Sequence, residues 1–168
     1  MKVMLDLETM GNGSNATIIA IGAVYFDNKS VLSRFYVNVD RKSCEDRGFI
    51  SDESTIKWWS EQSDAAKSAL LVDPEDVIDA LQMFRGWLND LGTPLKNIEM
   101  WGNGAMFDNT ILGNAYKACR MQIPWSFWND RCYRTVKSMN PSIKLERVGT
   151  HHNAVDDAES QALHLINI

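Results

Sequence analysis

Val3-Met4-Leu5-Asp6-Leu7-Glu8-Thr9 decides how the chain folds. Three apolar residues run into a carboxylate, an apolar residue and a second carboxylate, and Gly11, Asn12 and Gly13 follow. A short apolar run bounded by turn residues predicts a buried strand. Residues i and i+2 of a strand point to one face, so Asp6 and Glu8 project together from its C-terminal end. Two carboxylates held that close repel, and burying them without a partner costs several kcal/mol. No Lys or Arg lies nearby in sequence, and a bound divalent cation is the economical counter-charge. The simpler alternative is that one carboxylate caps a loop and the other faces water.

Working outward, 168 residues predict one domain, residues 1–168, with room for a core. A hydrophobic fraction of 45% and a charged fraction of 23% are ordinary for a globular protein. No apolar run approaches the length of a membrane span, and the two early carboxylates interrupt any signal-peptide core. Cys44, Cys119 and Cys132 are odd in number and lack CxxC spacing, which predicts reduced thiols and a cytoplasmic location.

The net charge of -5 argues against a polyanionic partner at first sight. Yet Lys117, Arg120, Arg131, Arg134, Lys137, Lys144 and Arg147 fall in one segment, opposed only by Asp130 and Glu146. An acidic body with one basic segment can hold a polyanion locally; a solvated helix face is the alternative.

Along the chain, residues 16–26 predict a second strand with a bulge at Gly22, and residues 31–39 a third, completing an antiparallel meander. Residues 40–52 read as a loop. Short helices are expected from Ser54 and from Ser63. Two adjacent tryptophans, Trp58 and Trp59, lie about 100° apart on a helix, so one at most centres on the core. The other covers a loop or stacks on a ligand. Asp73-Pro74 predicts the start of a long helix ending at Gly92. Residues 98–101 predict a fourth strand, residues 108–121 a helix, residues 130–138 another, and 153–166 the last.

Asp108 follows a strand and a Gly-Asn-Gly turn, at or just inside a helix N-terminus, where a plain N-cap is the simple reading. His152, Asp156 and Asp157 open the final helix, and His152 and Asp157 can face one cleft. His151 and Asp156 adjoin these two residues.

With Asp6-Leu7-Glu8-Thr9, Asn103-Gly104-Ala105-Met106-Phe107-Asp108 and His152-Asn153-Ala154-Val155-Asp156-Asp157-Ala158 in that order, the sequence resembles the DEDDh 3′→5′ exonucleases of the RNase H-like superfamily. Trp58-Trp59 and the Trp-Gly-Asn-Gly phrase resemble a smaller branch found in phages, prophages and mycobacteria. The resemblance implies an α/β fold: an RNase H-like mixed sheet, three antiparallel strands plus parallel strands, flanked by helices. It implies a hydrolase that removes nucleotides from the free 3′ end of single-stranded DNA or RNA, with DNA favoured.

The resemblance further implies two Mg²⁺ or Mn²⁺ ions, with Asp6 bridging them, Glu8 and Asp157 completing one site and Asp108 supporting the other. It makes His152 the general base. Beside the ligand position so implied for Asp157, Asp156 reads as outward helix N-terminal charge and His151 as pointing elsewhere. Thr9 and Met10 would meet the 3′-terminal nucleotide, with Asn103 and Phe107 lining the cleft. The expected partners are single-stranded nucleic acid with a free 3′-OH, no membrane, and a second copy of the chain in a homodimer. An exoribonuclease of the same fold, a nucleic-acid-binding module with a disabled site and a structural Ca²⁺ site in an interaction domain are the rival readings. Every catalytic position is filled, and no EF-hand-like loop is present, which weighs against the last two.

Overall fold

The computed structural model describes residues 1–104 and 106–168, so Ala105 of the second motif lies outside the described residues. Five strands form one sheet: β1 (Lys2–Thr9), β2 (Ile18–Phe26), β3 (Val31–Asn38), β4 (Glu99–Gly102) and β5 (Asp130–Cys132), in the order β3-β2-β1-β4-β5. The first three are an antiparallel meander, whereas β4 runs parallel to β1 and β5 parallel to β4. The expected mixed α/β sheet is the one observed.

β1 is central and buried on both faces, which explains its near-continuous apolar run. Val3, Leu5 and Leu7 enter the larger core with Ile21, Phe35 and Val37. Helices α4 (Val77–Asp90) and α5 (Asp108–Ala118) close that face with Leu81, Phe84, Ile111 and Leu112. On the other face Met4, Val24 and Phe26 pack on Tyr133 of α6 (Tyr133–Met139) and on Ala158 and Ala162 of α7 (Ala154–Ile166). The alternation of β1 therefore delivers Asp6 and Glu8 to the α7 side.

Among the described residues there are also three short α-helices, α1 (Arg41–Glu45), α2 (Glu53–Ser60) and α3 (Asp64–Ala69), and two 3-10 turns at Leu95–Asn97 and Phe127–Asn129. Among the described residues, no helix is long and apolar enough to cross a membrane.

Four local expectations are corrected. Residues 40–52 contain α1, because the Asp40 side chain accepts the Lys42 N–H at 3.1 Å and starts a turn. The long helix starts at Val77, capped by Asp76, not at Asp73-Pro74. Glu75 is held by Asn38 and Asp40 in an isolated bridge beside Val39, and this delays the helix. Asp130, Arg131 and Cys132 are the edge strand β5 rather than helix, because they pair with Met100, Trp101 and Gly102. Gly22 is not a bulge: it pairs in register with Asp6, and the irregularities fall at Glu8/Thr9 and Tyr25/Phe26.

Gly22 is needed for close approach instead. A Cβ there would lie 2.2 Å from the Ala154 carbonyl carbon and the Val155 nitrogen. Asp6 and Gly22 are directly opposed, so their side-chain positions share the α7 face. The missing side chain lets the first turn of α7 lie down beside Asp6.

Candidate active site

Three elements deliver the acidic groups to one place. β1 presents Asp6 and Glu8, and the first turn of α7 presents Asp157, with one oxygen from each lying within 4.8 Å of the others. Asp108, the first residue of α5, sits behind them with both oxygens engaged. Its Oδ1 accepts the Leu7 N–H at 3.1 Å and its Oδ2 the Asn103 N–H at 2.7 Å. Asp108 is thus more than a helix cap, because it joins β1, the loop after β4 and α5.

The cluster carries a charge problem. Burial holds the Asp6 carboxyl well above the usual carboxylate range, and Asp108, Glu8 and Asp157 add repulsion in that order. Burial, then Asp157 and Asp108, pushes Glu8 up to about 8. Burial raises Asp108 to about 6 against the lowering effect of the Asn103 and Leu7 N–H bonds. Among the described residues, Glu8 Oε1 is buried without a hydrogen-bond partner. Converging all-oxygen donors, excess negative charge and an orphaned carboxylate oxygen fit a hard divalent cation.

Two groups partly relieve this charge: one that the sequence offered only as a member of the basic segment, and one that sequence reasoning missed. Arg147 Nη1 reaches Asp157 Oδ1 at 2.5 Å, so a cationic side chain does stand at the cluster, contrary to the expectation from local sequence. Nothing in linear spacing announced it. Gln161 donates from Nε2 to Asp6 Oδ1 at 2.8 Å. Its position four residues after Asp157, one turn along the same helical face, was the available signal.

His152 precedes α7 rather than opening it; Asn153 caps the helix, accepting from Val155 and Asp156 N–H groups. His152 has φ +63°, a left-handed conformation uncommon outside glycine. Its N–H donates to Asp157 Oδ2 at 2.9 Å. A ring nitrogen of His152, one of His151 and an Asp157 oxygen all lie within 4.8 Å. Burial and then the neighbouring His151 lower the His152 pKa. His151 does not point away as expected, because its ring stacks on His152 with centroids 3.7 Å apart. Asp156 accepts the Thr150 N–H at 2.7 Å and braces that loop.

The tryptophan pair divides its work. Trp59 is buried and donates to the Thr9 carbonyl at 2.9 Å. Trp58 is exposed and meets the His152 ring edge-on at 4.8 Å. Both indoles line a cavity of about 390 Å³ together with Glu8, Thr9 and Phe107. Phe107 thus lines the same cavity as Glu8. The Thr9 hydroxyl is engaged with the Gly11 carbonyl at 2.7 Å.

Met10 does not join this cavity. It packs with Ile19, Trp59 and Ala66 and lines a separate apolar cavity of about 450 Å³, because the irregularity at Glu8/Thr9 alters the register there. Asn103 lines a groove of about 630 Å³ with Arg134, Lys137 and Lys144, and its carbonyl accepts Arg134 Nη2 at 2.7 Å. Three members of the basic segment thus line one groove, whereas Arg131 faces Glu99 at 3.7 Å.

Comparison with known proteins places this geometry. The chain matches, over residues 1–168, the family model described as the 3′-5′ exoribonuclease Rv2179c-like domain. It is 28% identical to an exodeoxyribonuclease of Enterobacteria phage T4, over 79% of this chain and 68% of that protein. The nuclease domain of 3′hExo, a DEDDh family member bound to rAMP, superposes with a TM-score of 0.65 at 14% identity. That match covers 99% of this chain and 90% of the other. Exonuclease X in complex with 5′-overhanging duplex DNA superposes with a TM-score of 0.60 at 15% identity and the same coverages. These two likenesses show the fold, the RNase H-like one of DEDDh nucleases, a class that uses divalent metal ions. The chain belongs to the Rv2179c-like exonuclease family, and with it to the DEDDh 3′→5′ exonucleases, hydrolases of nucleic acid.

Proposed function

We propose that residues 1–168 act as one exonuclease domain that removes nucleotides from the free 3′ end of single strands with two Mg²⁺ or Mn²⁺ ions. The observation that carries this reading is the convergence of Asp6, Glu8 and Asp157 oxygens within 4.8 Å. Asp6, Glu8 and Asp157 would hold the ions. The two N–H bonds that occupy the Asp108 oxygens support an outer role for that residue. When bound, such ions neutralise charge building on the transferring phosphoryl group and acidify nearby water.

The protein's own groups do the rest. His152 accepts a proton from the attacking water at the ring nitrogen that lies within 4.8 Å of an Asp157 oxygen. Its lowered pKa keeps the ring neutral, hence basic, at neutral pH. The His152 N–H bond to Asp157 fixes where that ring stands. Trp58, Phe107 and the Thr9 backbone line the cavity that receives the terminal nucleotide. Arg134, Lys137 and Lys144 hold the backbone upstream.

DNA is the favoured substrate, supported by the phage relative described as an exodeoxyribonuclease. The family description, an exoribonuclease, favours RNA as a second reading. The free thiols are in keeping with a reducing, cytoplasmic setting. A homodimer remains part of the proposal.

The test is digestion of matched 5′-labelled DNA and RNA oligonucleotides by one preparation with Mg²⁺ or Mn²⁺. Stepwise shortening from the 3′ end, blocked by a 3′-phosphate, is expected, with DNA shortened faster. Efficient cutting of circular single strands would overturn the exonuclease reading, and faster loss of RNA would reverse the substrate order.

A further inference from the structure

Arg147 stands on the loop between α6 and α7, and the backbone on either side of it is pinned. Val148 N–H donates to Ser160 Oγ at 2.9 Å, and His164 Nε2 meets the Ile143 carbonyl at 2.9 Å. The carbonyl can only accept, so His164 carries its proton on Nε2 and receives the Tyr133 hydroxyl at Nδ1, 2.7 Å away. The loop is therefore fixed by buried groups while the Arg147 side chain is 48% exposed. It can turn without moving the backbone.

Its partner has no such freedom. The Asp157 side chain is 11% exposed, and its Oδ2 already accepts the His152 N–H at 2.9 Å. Its Oδ1 is the oxygen held by Arg147. A cation bound among Asp6, Glu8 and Asp157 needs an oxygen of Asp157 and repels a guanidinium at that range. Arg147 and the cation thus contend for one carboxylate.

We propose that Arg147 is an exchangeable counter-ion: a divalent cation displaces it from Asp157, and it then binds the phosphate of the nucleotide at the 3′ end. This rests on the reading that Asp6, Glu8 and Asp157 hold divalent ions. The charges balance, because the guanidinium leaves one anionic oxygen for another as the cation takes its place. The planar fork of arginine suits a phosphate better than the ammonium of lysine does. Lys144 lies three residues away on the same loop and lines the basic groove with Arg134 and Lys137, so the released side chain remains beside the polyanion path. Arg147 is thereby a substrate-binding residue that also governs entry of the ion.

Calorimetric titration of Mn²⁺ into the wild-type chain and Arg147→Met, without nucleic acid, tests the first half. Removing a half-exposed ion pair of this kind should tighten Mn²⁺ binding roughly two- to fivefold. Titration of thymidine 5′-monophosphate at saturating Mn²⁺ tests the second half, and Arg147→Met should bind it more weakly. Arg147→Lys, which keeps the charge and loses the fork, should bind Mn²⁺ like wild type and the nucleotide with intermediate strength. Opposite signs for ion and nucleotide are the signature, because general damage to the site would weaken both. Equal or weaker Mn²⁺ binding by a folded Arg147→Met, with wild type binding normally, overturns the exchange and leaves the metal reading intact. No Mn²⁺ binding by either protein overturns the metal reading and the exchange together.

Discussion

Gln161 donates from Nε2 to Asp6 Oδ1 at 2.8 Å, joining the third turn of α7 to the central strand across 155 residues of chain. Among the described residues, the other end of the same amide, Oε1, is buried without a partner. The bond restricts how the Asp6 carboxyl can turn within the cluster. Gln161→Leu keeps the volume and removes the bond. Groups that orient metal-binding side chains are worth roughly 10- to 100-fold in metal affinity or activity. A loss of that size is expected, with Mn²⁺ titration and initial rates as the readouts and the thermal midpoint as the control for folding.

Asp6→Ala should abolish hydrolysis while leaving the fold intact. The residue is central to the acidic cluster, and its removal takes away a carboxyl that Asp108, Glu8 and Asp157 repel, in that order. Circular dichroism should match wild type, and rates on a 5′-labelled oligonucleotide should fall to background. Near wild-type rates would remove Asp6 from the proposed ligand set.

Stability should depend on pH through Glu8. Folding raises this carboxyl from 4.5 to about 8, so the folded chain binds the proton more tightly than the unfolded one. In chelator, stability should be greatest below about pH 4.5 and fall as pH climbs through 8. The loss from one such group is of order a few kcal/mol. Glu8→Gln, which stays neutral, should lack that loss and melt higher than wild type at pH 8. Saturating Mg²⁺ should reverse the order, because it stabilises only the protein that can hold it. Parallel melting curves across this pH range, with and without chelator, provide the check.

The pH–rate profile should separate the two histidines. His152→Ala should lower the maximal rate roughly 10²- to 10⁴-fold, the usual range for a general base. The acidic limb in wild type should lie below pH 6.5, because burial and then His151 depress the His152 pKa, with Arg147 adding to this and Asp157 opposing it. His151→Ala removes one depressing neighbour, so its limb should move up towards 6.5 with most of the maximal rate retained. A crippled His151→Ala beside an active His152→Ala would exchange their roles.

The basic groove sets the salt dependence. Arg134→Gln with Lys144→Gln removes two of its cationic side chains. For single strands the log–log slope of affinity against salt should flatten by about 1.4, at roughly 0.7 for each phosphate no longer neutralised. The maximal rate should change little. An unchanged slope would place the binding track on another face.

The shared face of Asp6 and Glu8 was legible because a strand has a fixed period: with Val3, Leu5 and Leu7 inward, the two carboxylates had to take the other face. Asp108 and Asp157 were legible from motif order, and their neighbours at helix starts agreed. Other features depend on paths through space. Arg147 reaches Asp157 only because the loop after α6 folds back over α7, which no local periodicity encodes. The three residues of β5, two of them charged, become a strand only through β4. Asp76 rather than Asp73 caps α4 because Glu75 is bridged to Val39 just after β3, a contact between segments distant in sequence. Met10 follows the two carboxylates in sequence, yet an irregularity one step earlier sends it to another cavity.

Gly22 carries a lesson about inheritance. It contributes no side-chain donor and no charge to the cluster, yet a single methyl there would collide with the Ala154–Val155 peptide at 2.2 Å. A descendant with Gly22→Ala would retain all five residues of the exonuclease signature and would be recognised by every one of them. Its α7 would ride higher on the sheet, lifting Asp157 away from Asp6. Decay of such an enzyme can therefore begin at a position that the signature does not contain, and the intact signature would outlive the activity it advertises.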